Sequence, residues 1–298
     1  MHFLTIDDLT TDDLAAVLED AAALKRAQAD GIPHEALPGR TLAMLFEKPS
    51  TRTRVSFEVG ATQLGGHAAF LGEDDVQLDR GEPLSDTAAA LGLYADAVMA
   101  RVFSHGDLET LAANAGVPVV NGLTDDAHPC QGLADLLTLR EEVGDSGTVA
   151  WVGDGNNVAA SFAVGAAMLG YDVRVATPDG YGLSEDVLDR ASGHASASGG
   201  SVSVTSDPGA AADGADVVYT DVWVSMGQEA ERDERLAAFE GFQVDADLLG
   251  DAAFMHCLPA NRGEEVPADV IDGPQSAVWQ QAENRLHAQK ALLVHLLG

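Results

Sequence analysis

The sequence predicts an α/β protein of two domains, each built on a parallel β-sheet flanked by helices. Short β-rich runs alternate with helical stretches along the chain, which is the pattern of parallel sheets connected by crossover helices. The alternation starts again after Gly144 and indicates a second sheet. The 298 residues, 46% of them hydrophobic, also suit about two domains with buried cores.

Four runs in the first half have the composition of strands, and helical patterns separate them. The strand-like runs cover residues 41–46, 67–72, 95–103 and 117–122, and the helical stretches between them read RVSFEVGATQLG, LSDTAAALGLYA and DLETLAANAG. The helix GLADLLTLREEV follows Pro129 and ends at Gly144, so we expect the joint between the domains to lie within it.

The second half repeats the rhythm. Strand-like runs cover residues 148–153, 171–178, 200–207, 215–223 and 252–259, and the segment QSAVWQQAENRLHAQKALLVHLLG closes the chain as an amphipathic helix. In open α/β sheets, ligands bind at the carboxyl ends of strands, where helix N-termini direct backbone N–H groups at anions. The residues that follow the strands are therefore the candidate site residues.

The composition excludes several classes of protein. There are 48 acidic and 16 basic residues, for a net charge of −32, and such a surface repels nucleic acid. No apolar run approaches the ~18 residues of a membrane span. The N-terminus has no basic region followed by an apolar stretch, so we expect no signal peptide and a cytoplasmic location. Two cysteines are too few for a disulfide scaffold.

The net charge is strongly negative, although the fraction of charged residues is ordinary. Charged residues make up an ordinary 21%, but lysine is almost absent. An acidic surface repels itself at low ionic strength, and salt screens that repulsion. The sequence therefore predicts adaptation to very high salt; the alternative is an acidic protein of an ordinary cytosol.

The first candidate motif, Ser50-Thr51-Arg52-Thr53-Arg54, follows the first strand and opens a helix. Backbone N–H groups, hydroxyls and a guanidinium at a helix N-terminus suit a phosphate. Side chains two apart on a helix point in different directions, so we assign Arg52 to the anion. For Arg54 two roles stay open: binding the anion or pairing with a carboxylate. Ser50 is also a candidate N-cap.

The next candidates end two further strands. Arg101 closes the run DAVMAR and has either a structural or an anion-binding role. In His128-Pro-Cys-Gln131, the imidazole can donate a hydrogen bond to a carbonyl oxygen, and the amide of Gln131 can recognise an NH2 group. Cys130 reads as a packing residue, because no base accompanies it.

The second half carries three more motifs. Gly153-Asp-Gly-Asn-Asn157 only superficially suggests dinucleotide binding, because Val158 replaces the third glycine. Asp221-Val-Trp-Val-Ser-Met-Gly227 supplies groups for the ammonium and carboxylate of an amino acid. His256-Cys-Leu-Pro259 ends the last strand; two adjacent ligands are too few for a closed zinc site, so we predict no metal and place Cys257 at the binding site.

Together, and in this order, four of these motifs resemble the transcarbamylase family. They are Ser50–Arg54, His128–Gln131, Asp221–Gly227 and His256–Pro259. The resemblance covers nearly the whole chain. The first two motifs are shared with the aspartate branch, and the last two are similar to the ornithine branch.

The resemblance implies a fold and a reaction. It implies a carbamoyl-phosphate-binding domain of residues 1–140, onto which a C-terminal helix of about residues 277–298 packs back. It implies an ornithine-binding domain of residues 141–276, with closure of the two domains. The expected reaction transfers the carbamoyl group of carbamoyl phosphate to the side-chain amine of L-ornithine, giving L-citrulline and phosphate. It is reversible, uses no cofactor or metal, and occurs in homotrimers or assemblies of trimers.

The resemblance also implies roles for individual residues. The phosphate would be held by Ser50, Thr51, Arg52, Thr53 and Arg101, with a late contact from Arg285. The carbonyl oxygen would be polarised by Arg101, His128 and Thr53. The carbamoyl NH2 would be held by Gln131 and the backbone at Cys257 and Leu258. Ornithine would be held by Asn157, Asp221, Ser225 and Met226. Gln77 would reach a neighbouring subunit's site.

Among these residues, the resemblance implies that Arg52, Arg101, His128 and Cys257 are catalytic. Two alternatives stay open at this stage. One is a transcarbamylase for another amine, such as putrescine or an acetylated ornithine. The other is a non-catalytic member that only binds or regulates.

Overall fold

Two parallel α/β units form the protein. In a computed structural model, which describes residues 1–72 and 81–298, one compact unit comprises Met1–Ala134 with Asn284–Gly298, and the other comprises Asp135–Glu283. We call them unit 1 and unit 2. The predicted fold class, two helix-flanked parallel sheets with the C-terminal helix on the first, is confirmed.

Unit 1 contains a four-stranded sheet in the order β2-β1-β3-β4. The strands, all parallel, are β1 (Thr41–Phe46), β2 (His67–Leu71), β3 (Ala97–Arg101) and β4 (Val119–Leu123). Its helices are α1 (Thr11–Ala29), α2 (Thr51–Gln63), α3 (Leu84–Tyr94) and α4 (His105–Ala115), preceded by a 3-10 helix at Ile6–Asp8.

Unit 2 contains a five-stranded parallel sheet in the order β7-β6-β5-β8-β9. Its strands are β5 (Thr148–Val152), β6 (Asp172–Ala176), β7 (Ser201–Thr205), β8 (Val217–Thr220) and β9 (Ala253–His256). Its helices are α6 (Asn157–Met168), α7 (Glu185–Ser198), α8 (Pro208–Ala212), α9 (Arg232–Ala238), α10 (Ala246–Leu249) and α11 (Ala268–Ile271), with a 3-10 helix at Glu229–Glu231.

Two helices belong to both units. Helix α5 (Pro129–Val143) begins in unit 1 and ends in unit 2, whereas α12 (Val278–Leu297) begins in unit 2 and ends in unit 1. In unit 1, α12 contacts α1 through a 2.7 Å hydrogen bond from Lys25 Nζ to Asn284 Oδ1. Lys290 is fully buried, and its Nζ lies 2.9 Å from Oε1 of both Gln28 and Gln63.

Apolar burial explains why these segments form central strands and helices. Strands β1 and β3 are buried along almost their whole length, as strands covered on both faces must be. In unit 2, Trp151 and Tyr219 pack edge to face with ring centroids 4.6 Å apart, and Phe162 of α6 lies 5.0 Å from Tyr219. Buried aromatic pairs of this geometry stabilise the core beyond their area alone.

Each of the nine predicted strand runs overlaps an observed strand. Among the described helices, none is long and apolar enough to cross a membrane.

Helices α3 and α4 pack so closely that one glycine is required. A Cβ added at Gly92 would lie 1.6 Å from the backbone oxygen of Ala115. We therefore expect Gly92→Ala to lower the free energy of unfolding by about 1–3 kcal/mol, as overpacking does. Gly193 of α7 is the matched control, because a Cβ there meets nothing within 4 Å. Gly193→Ala should be neutral or stabilise by about 0.5–1 kcal/mol. Denaturant unfolding measures both, and equal stability of the two variants would contradict the close contact.

Candidate active site

The N-terminus of α2 in unit 1 places the first candidate motif. Ser50 is the N-cap, and its Oγ accepts a 3.2 Å hydrogen bond from the backbone N–H of Thr53. Thr51 and Arg52 occupy the first turn and are exposed, whereas Thr53 is buried. An exposed first turn with N–H groups directed outward is the geometry that favours an anion.

Arg54, on the same helix, has a carboxylate partner. Its Nε donates a 3.0 Å hydrogen bond to Glu58 Oε1, and its guanidinium lies 3.8 Å from the ring centroid of Phe70. This contact supports the carboxylate partner as the role of Arg54. Arg52 is the guanidinium of this motif that stays assigned to the anion.

Arg101 ends β3 beside the end of β1. It pairs in register with Phe46, and the ladder to β4 shifts at Ala100 and Arg101. The side chain is buried. Parallel strands bring their carboxyl ends to one edge of the sheet, so Arg101 and the loop after β1 occupy the same edge.

His128 immediately precedes α5 at this edge, and Gln131 lies in the first turn of the helix. Both side chains are buried. The backbone N–H of Gln131 donates to the carbonyl of His128 at 3.0 Å, so the first turn of α5 links the two residues. Burial raises the pKa of Cys130 to about 12. Cys130 is therefore a packing residue, because a nucleophilic cysteine needs an accessible thiolate.

Arg285 of α12 joins the first motif to the second. It is buried, and its Nη1 donates to Gln131 Oε1 at 2.6 Å while Nη2 donates to Thr53 Oγ1 at 3.1 Å. The three residues lie far apart in the chain, 154 and 232 positions from Arg285. Thus the late arginine, the hydroxyl motif and the glutamine predicted from sequence converge in unit 1.

The electrostatics of this half-site centre on His128. Burial lowers its pKa well below the ordinary 6.5. The guanidiniums of Arg285, Arg101 and Arg52 lower it further, because a second positive charge is unfavourable beside them. The imidazole is therefore neutral near pH 7, and a neutral ring can still donate one N–H to a carbonyl oxygen.

Unit 2 brings the later motifs together around Asp221. This residue follows β8 and is buried. Its Oδ1 accepts a hydrogen bond from Cys257 Sγ at 3.0 Å, and its Oδ2 accepts one from Asn156 Nδ2 at 2.8 Å. Since β8 and β9 are neighbouring strands, their ends place a carboxyl group and a thiol side by side.

Asn156 is a site residue that the sequence prediction missed. It caps α6, and its Oδ1 accepts 3.0 Å hydrogen bonds from the N–H groups of Val158 and Ala159. Asn157, the residue named from sequence, is the first residue of that helix and is half-buried. An asparagine before a long apolar helix is an N-cap signal that could have singled out Asn156, although not its contact with Asp221.

The Ser225-Met226-Gly227 turn lies beyond Trp223. Ser225 is half-buried and Met226 is exposed, and Gly227 has a φ of 92°. A buried ion pair supports the base of this segment. Arg235 Nη1 donates to Asp154 Oδ2 at 3.0 Å and to the Trp223 carbonyl at 2.9 Å. Sequence spacing gave no signal for a pair 81 residues apart.

The end of β9 forms a tight turn. His256 Nδ1 accepts a 2.9 Å hydrogen bond from the N–H of Leu258, so its Nε2 carries the proton and faces Glu265 Oε1 at 3.3 Å. Leu258 has a φ of 61°, a left-handed conformation that is strained for a leucine. Such strain is typical of functional sites.

The geometry bears on two hypotheses from the sequence: dinucleotide binding at Gly153–Asn157 and metal binding at His256 and Cys257. A Cβ at Gly155 would lie 2.5 Å from the backbone carbon of Gly182, so the chain itself explains this glycine and no pyrophosphate is needed. Asp221, His256 and Cys257 place one potential metal-ligand atom each within 4.8 Å of one another. The hydrogen bonds given above already engage these groups, which is sufficient reason for their proximity.

Gln77 is the one candidate that lies outside the described residues. The other candidates fall at strand ends, at helix N-termini, in the Ser225–Gly227 turn or, for Arg285, on α12. Unit 1 thus carries guanidiniums, hydroxyls and a neutral imidazole suited to a phosphorylated carbonyl compound. Unit 2 carries a carboxyl group, amides and a thiol suited to a compound with an ammonium group.

Comparisons with known proteins cover almost the entire chain. The family model described as the carbamoyl-P binding domain of aspartate/ornithine carbamoyltransferase matches residues 1–141, and the Asp/Orn binding domain model matches residues 145–296. An ornithine carbamoyltransferase of Haloquadratum walsbyi is 61% identical over 100% of this chain and 98% of its own. One from Pyrococcus abyssi is 55% identical over 99% and 95%. The solved ornithine carbamoyltransferase of Pyrococcus furiosus has a TM-score of 0.96 at 54% identity, covering 100% of this chain and 97% of that one.

The neutral state of His128 has a consequence for acid stability. As the pH falls through 6.5, the unfolded chain protonates this imidazole and the folded protein does not, so the free energy of unfolding decreases. In His128→Asn that contribution is absent. We expect the wild type to lose up to about 1.4 kcal/mol more per pH unit than the variant. Urea unfolding between pH 7 and pH 5 measures the two slopes; parallel slopes would show that His128 titrates normally when folded.

Proposed function

The chain belongs to the aspartate/ornithine carbamoyltransferase family, and we propose that it transfers the carbamoyl group between carbamoyl phosphate and the side-chain amine of L-ornithine, forming L-citrulline and phosphate. The observation that carries the proposal is the convergence in unit 1 of Thr53, Gln131 and Arg285 beside the buried His128. The full-length relatives named ornithine carbamoyltransferase favour ornithine as the acceptor.

The phosphate is assigned to the N-terminus of α2. Ser50, Thr51, Arg52 and Thr53 supply hydroxyls, N–H groups and a guanidinium, and Arg101 and Arg285 add charge from β3 and α12. A guanidinium matches the oxygens of a phosphate in a two-pronged geometry. The helix dipole adds further stabilisation of the anion.

The carbonyl oxygen is assigned to Arg101, His128 and Thr53. When the neutral amine attacks, a nitrogen–carbon bond forms and negative charge develops on this oxygen. The carbon–oxygen bond to the phosphate then breaks and phosphate leaves with the electron pair, while the attacking nitrogen loses one proton, which balances on the departing phosphate. Donors fixed in place before the reaction stabilise that charge without reorganising. A neutral His128 can act as such a donor in a cluster of cations, where an imidazolium would be repelled.

The amine substrate is assigned to unit 2. Asp221 would hold the α-ammonium group, with Asn157, Ser225 and Met226 around the rest of ornithine, and Asn156 and Cys257 hold the Asp221 carboxyl group in place. We assign the carbamoyl NH2 to Gln131 and to the backbone at Cys257 and Leu258. Cys257 is also proposed as a catalytic residue. Gln77, from the undescribed segment, is assigned to the site of a neighbouring subunit.

The proposal includes the organisation of the protein. Residues 1–140 with the helix at about 277–298 form the carbamoyl phosphate domain, and residues 141–276 form the ornithine domain. The two compact units and the two family-model matches support this division. The active form is a cytoplasmic homotrimer or an assembly of trimers.

The activity is tested by citrulline formation from carbamoyl phosphate in molar KCl. We expect turnover with L-ornithine and at most trace carbamoylation of putrescine, N-acetylornithine or L-aspartate. Asp221 and the Ser225 turn require an α-ammonium group and a carboxylate, which putrescine and N-acetylornithine do not both carry, and L-aspartate has no separate side-chain amine to react. Absence of turnover with ornithine, or a clear preference for another of these amines, would contradict the proposal.

The same assay separates the two arginines of α2. Arg52→Ala should lower kcat/KM for carbamoyl phosphate by about 100- to 1000-fold, the range for one lost transition-state donor. Arg54→Ala is the matched control, since it removes an equal charge two residues away that pairs with Glu58; its kcat/KM should change by less than about threefold. Similar losses in both variants would mean that general charge and not a specific contact is responsible.

A further inference from the structure

Strand β9 lies at the edge of the unit 2 sheet, and a side chain completes its outer hydrogen bonds. The first backbone N–H on the outer side of β9 belongs to Phe254, and it donates a 2.8 Å hydrogen bond to the backbone carbonyl of Gln275. Two residues later the outward N–H belongs to His256, and it donates to Oε1 of Gln281 at 2.9 Å. The amide of Gln281 thus takes the place of a neighbouring strand at the end of β9.

The other end of the same amide is also engaged. Gln281 Nε2 donates to Asp135 Oδ1 at 2.7 Å, and Asp135 Oδ2 accepts a 2.9 Å hydrogen bond from the Tyr219 hydroxyl. All four residues of this network have 0% exposure. Buried hydrogen bonds of this kind hold their partners rigidly, because water cannot replace a lost partner.

The network ends at the two strands that carry the ornithine half-site. Tyr219 lies on β8 two residues before Asp221, and His256 immediately precedes Cys257. The Cα register pairs Thr220 with His256, so the ends of the two strands lie side by side. Fixing Tyr219 and the His256 N–H therefore fixes where the Asp221 carboxyl group and the Cys257–Leu258 backbone project.

We infer that Gln281, held by Asp135, is a positioning residue that sets the Cys257–Leu258 backbone against Asp221 for carbamoyl transfer. The inference rests on the proposed function, which assigns these groups to the substrates. Gln281 itself acts through the His256 N–H. A displacement of about 1 Å in a reacting group lowers turnover by as much as ~100-fold, so a small shift of the β9 end is enough to be measured.

The main test compares two glutamines at opposite ends of β9. Gln281→Leu removes the acceptor of the His256 N–H. Gln275→Leu is the matched control, because Gln275 Nε2 donates to the carbonyls of Gly250 and Ala252 before the strand begins. We expect Gln281→Leu to lower kcat at least tenfold. It should change the Kd of carbamoyl phosphate by a smaller factor, because the contacts assigned to the phosphate lie in unit 1. Gln275→Leu should keep kcat within twofold.

Gln281→Glu is a second variant for the case in which Gln281→Leu does not fold, and its pH profile is the measurement. In Gln281→Glu the new side chain faces Asp135 of α5, and Tyr219 of β8 and His256 of β9 belong to the same hydrogen-bond network. Two adjacent carboxyl groups cannot readily both ionise, so the protonated glutamic acid can donate to Asp135 and accept from the His256 N–H. We expect kcat near the wild-type value at acid pH and a decrease as the pH rises, with an ionisation absent from the wild type.

Amide hydrogen exchange separates this inference from the proposed function. The His256 N–H should exchange faster in Gln281→Leu than in wild type or Gln275→Leu, whether or not the protein uses ornithine. A wild type that exchanges as expected but forms no citrulline would refute only the proposed function. In an active enzyme, unchanged kcat in folded Gln281→Leu, an equal loss in Gln275→Leu, or a wild-type pH profile in Gln281→Glu would overturn the positioning role.

Discussion

The candidate site in unit 1 depends on one arrangement: buried guanidiniums held beside a neutral imidazole. Arg285 reaches from α12 to Thr53 of α2 and Gln131 of α5. Burial, and after it the charges of Arg285 and Arg101, lower the pKa of His128 and keep the imidazole unprotonated. The protein has a net charge of −32, so a cluster of positive side chains in unit 1 differs in charge from the acidic protein around it. An anion is the ligand that such a location favours, because it offsets the mutual repulsion of the cations.

Parallel sheet topology explains how distant residues reach the same place. In unit 1 the turn after β1, the last residue of β3 and the segment before α5 share one edge of the sheet. In unit 2 the ends of β8 and β9 do the same for Asp221 and Cys257. The hydrophobic strands thus provide the rigid frame, and the polar residues immediately after them provide the chemistry.

The parts that sequence could predict are those with local signals. Alternating apolar runs identified each of the nine strands in the part of the chain that the structure describes. Cys130, which has no base beside it, was correctly interpreted as a packing residue. Contacts between remote residues had no such signal: Arg235 with Asp154, Asn156 with Asp221, and Gln281 with both Asp135 and the His256 N–H. Each of these side chains could contact many polar groups, and the tertiary structure determines which of them lies within reach. Helix α1 was not predicted either, although Thr10 caps it and Asp13 follows in the first turn.

The central claim is that the hydroxyl-rich N-terminus of α2 binds the phosphate of the carbamoyl donor. A crystal structure with a bisubstrate phosphonate analogue tests it most directly. The account predicts the phosphonate oxygens within hydrogen-bonding distance of Ser50, Thr51, Arg52 and Thr53, with the Arg101 guanidinium beside them. A phosphonate bound elsewhere, with the first turn of α2 left in contact with solvent alone, would contradict it.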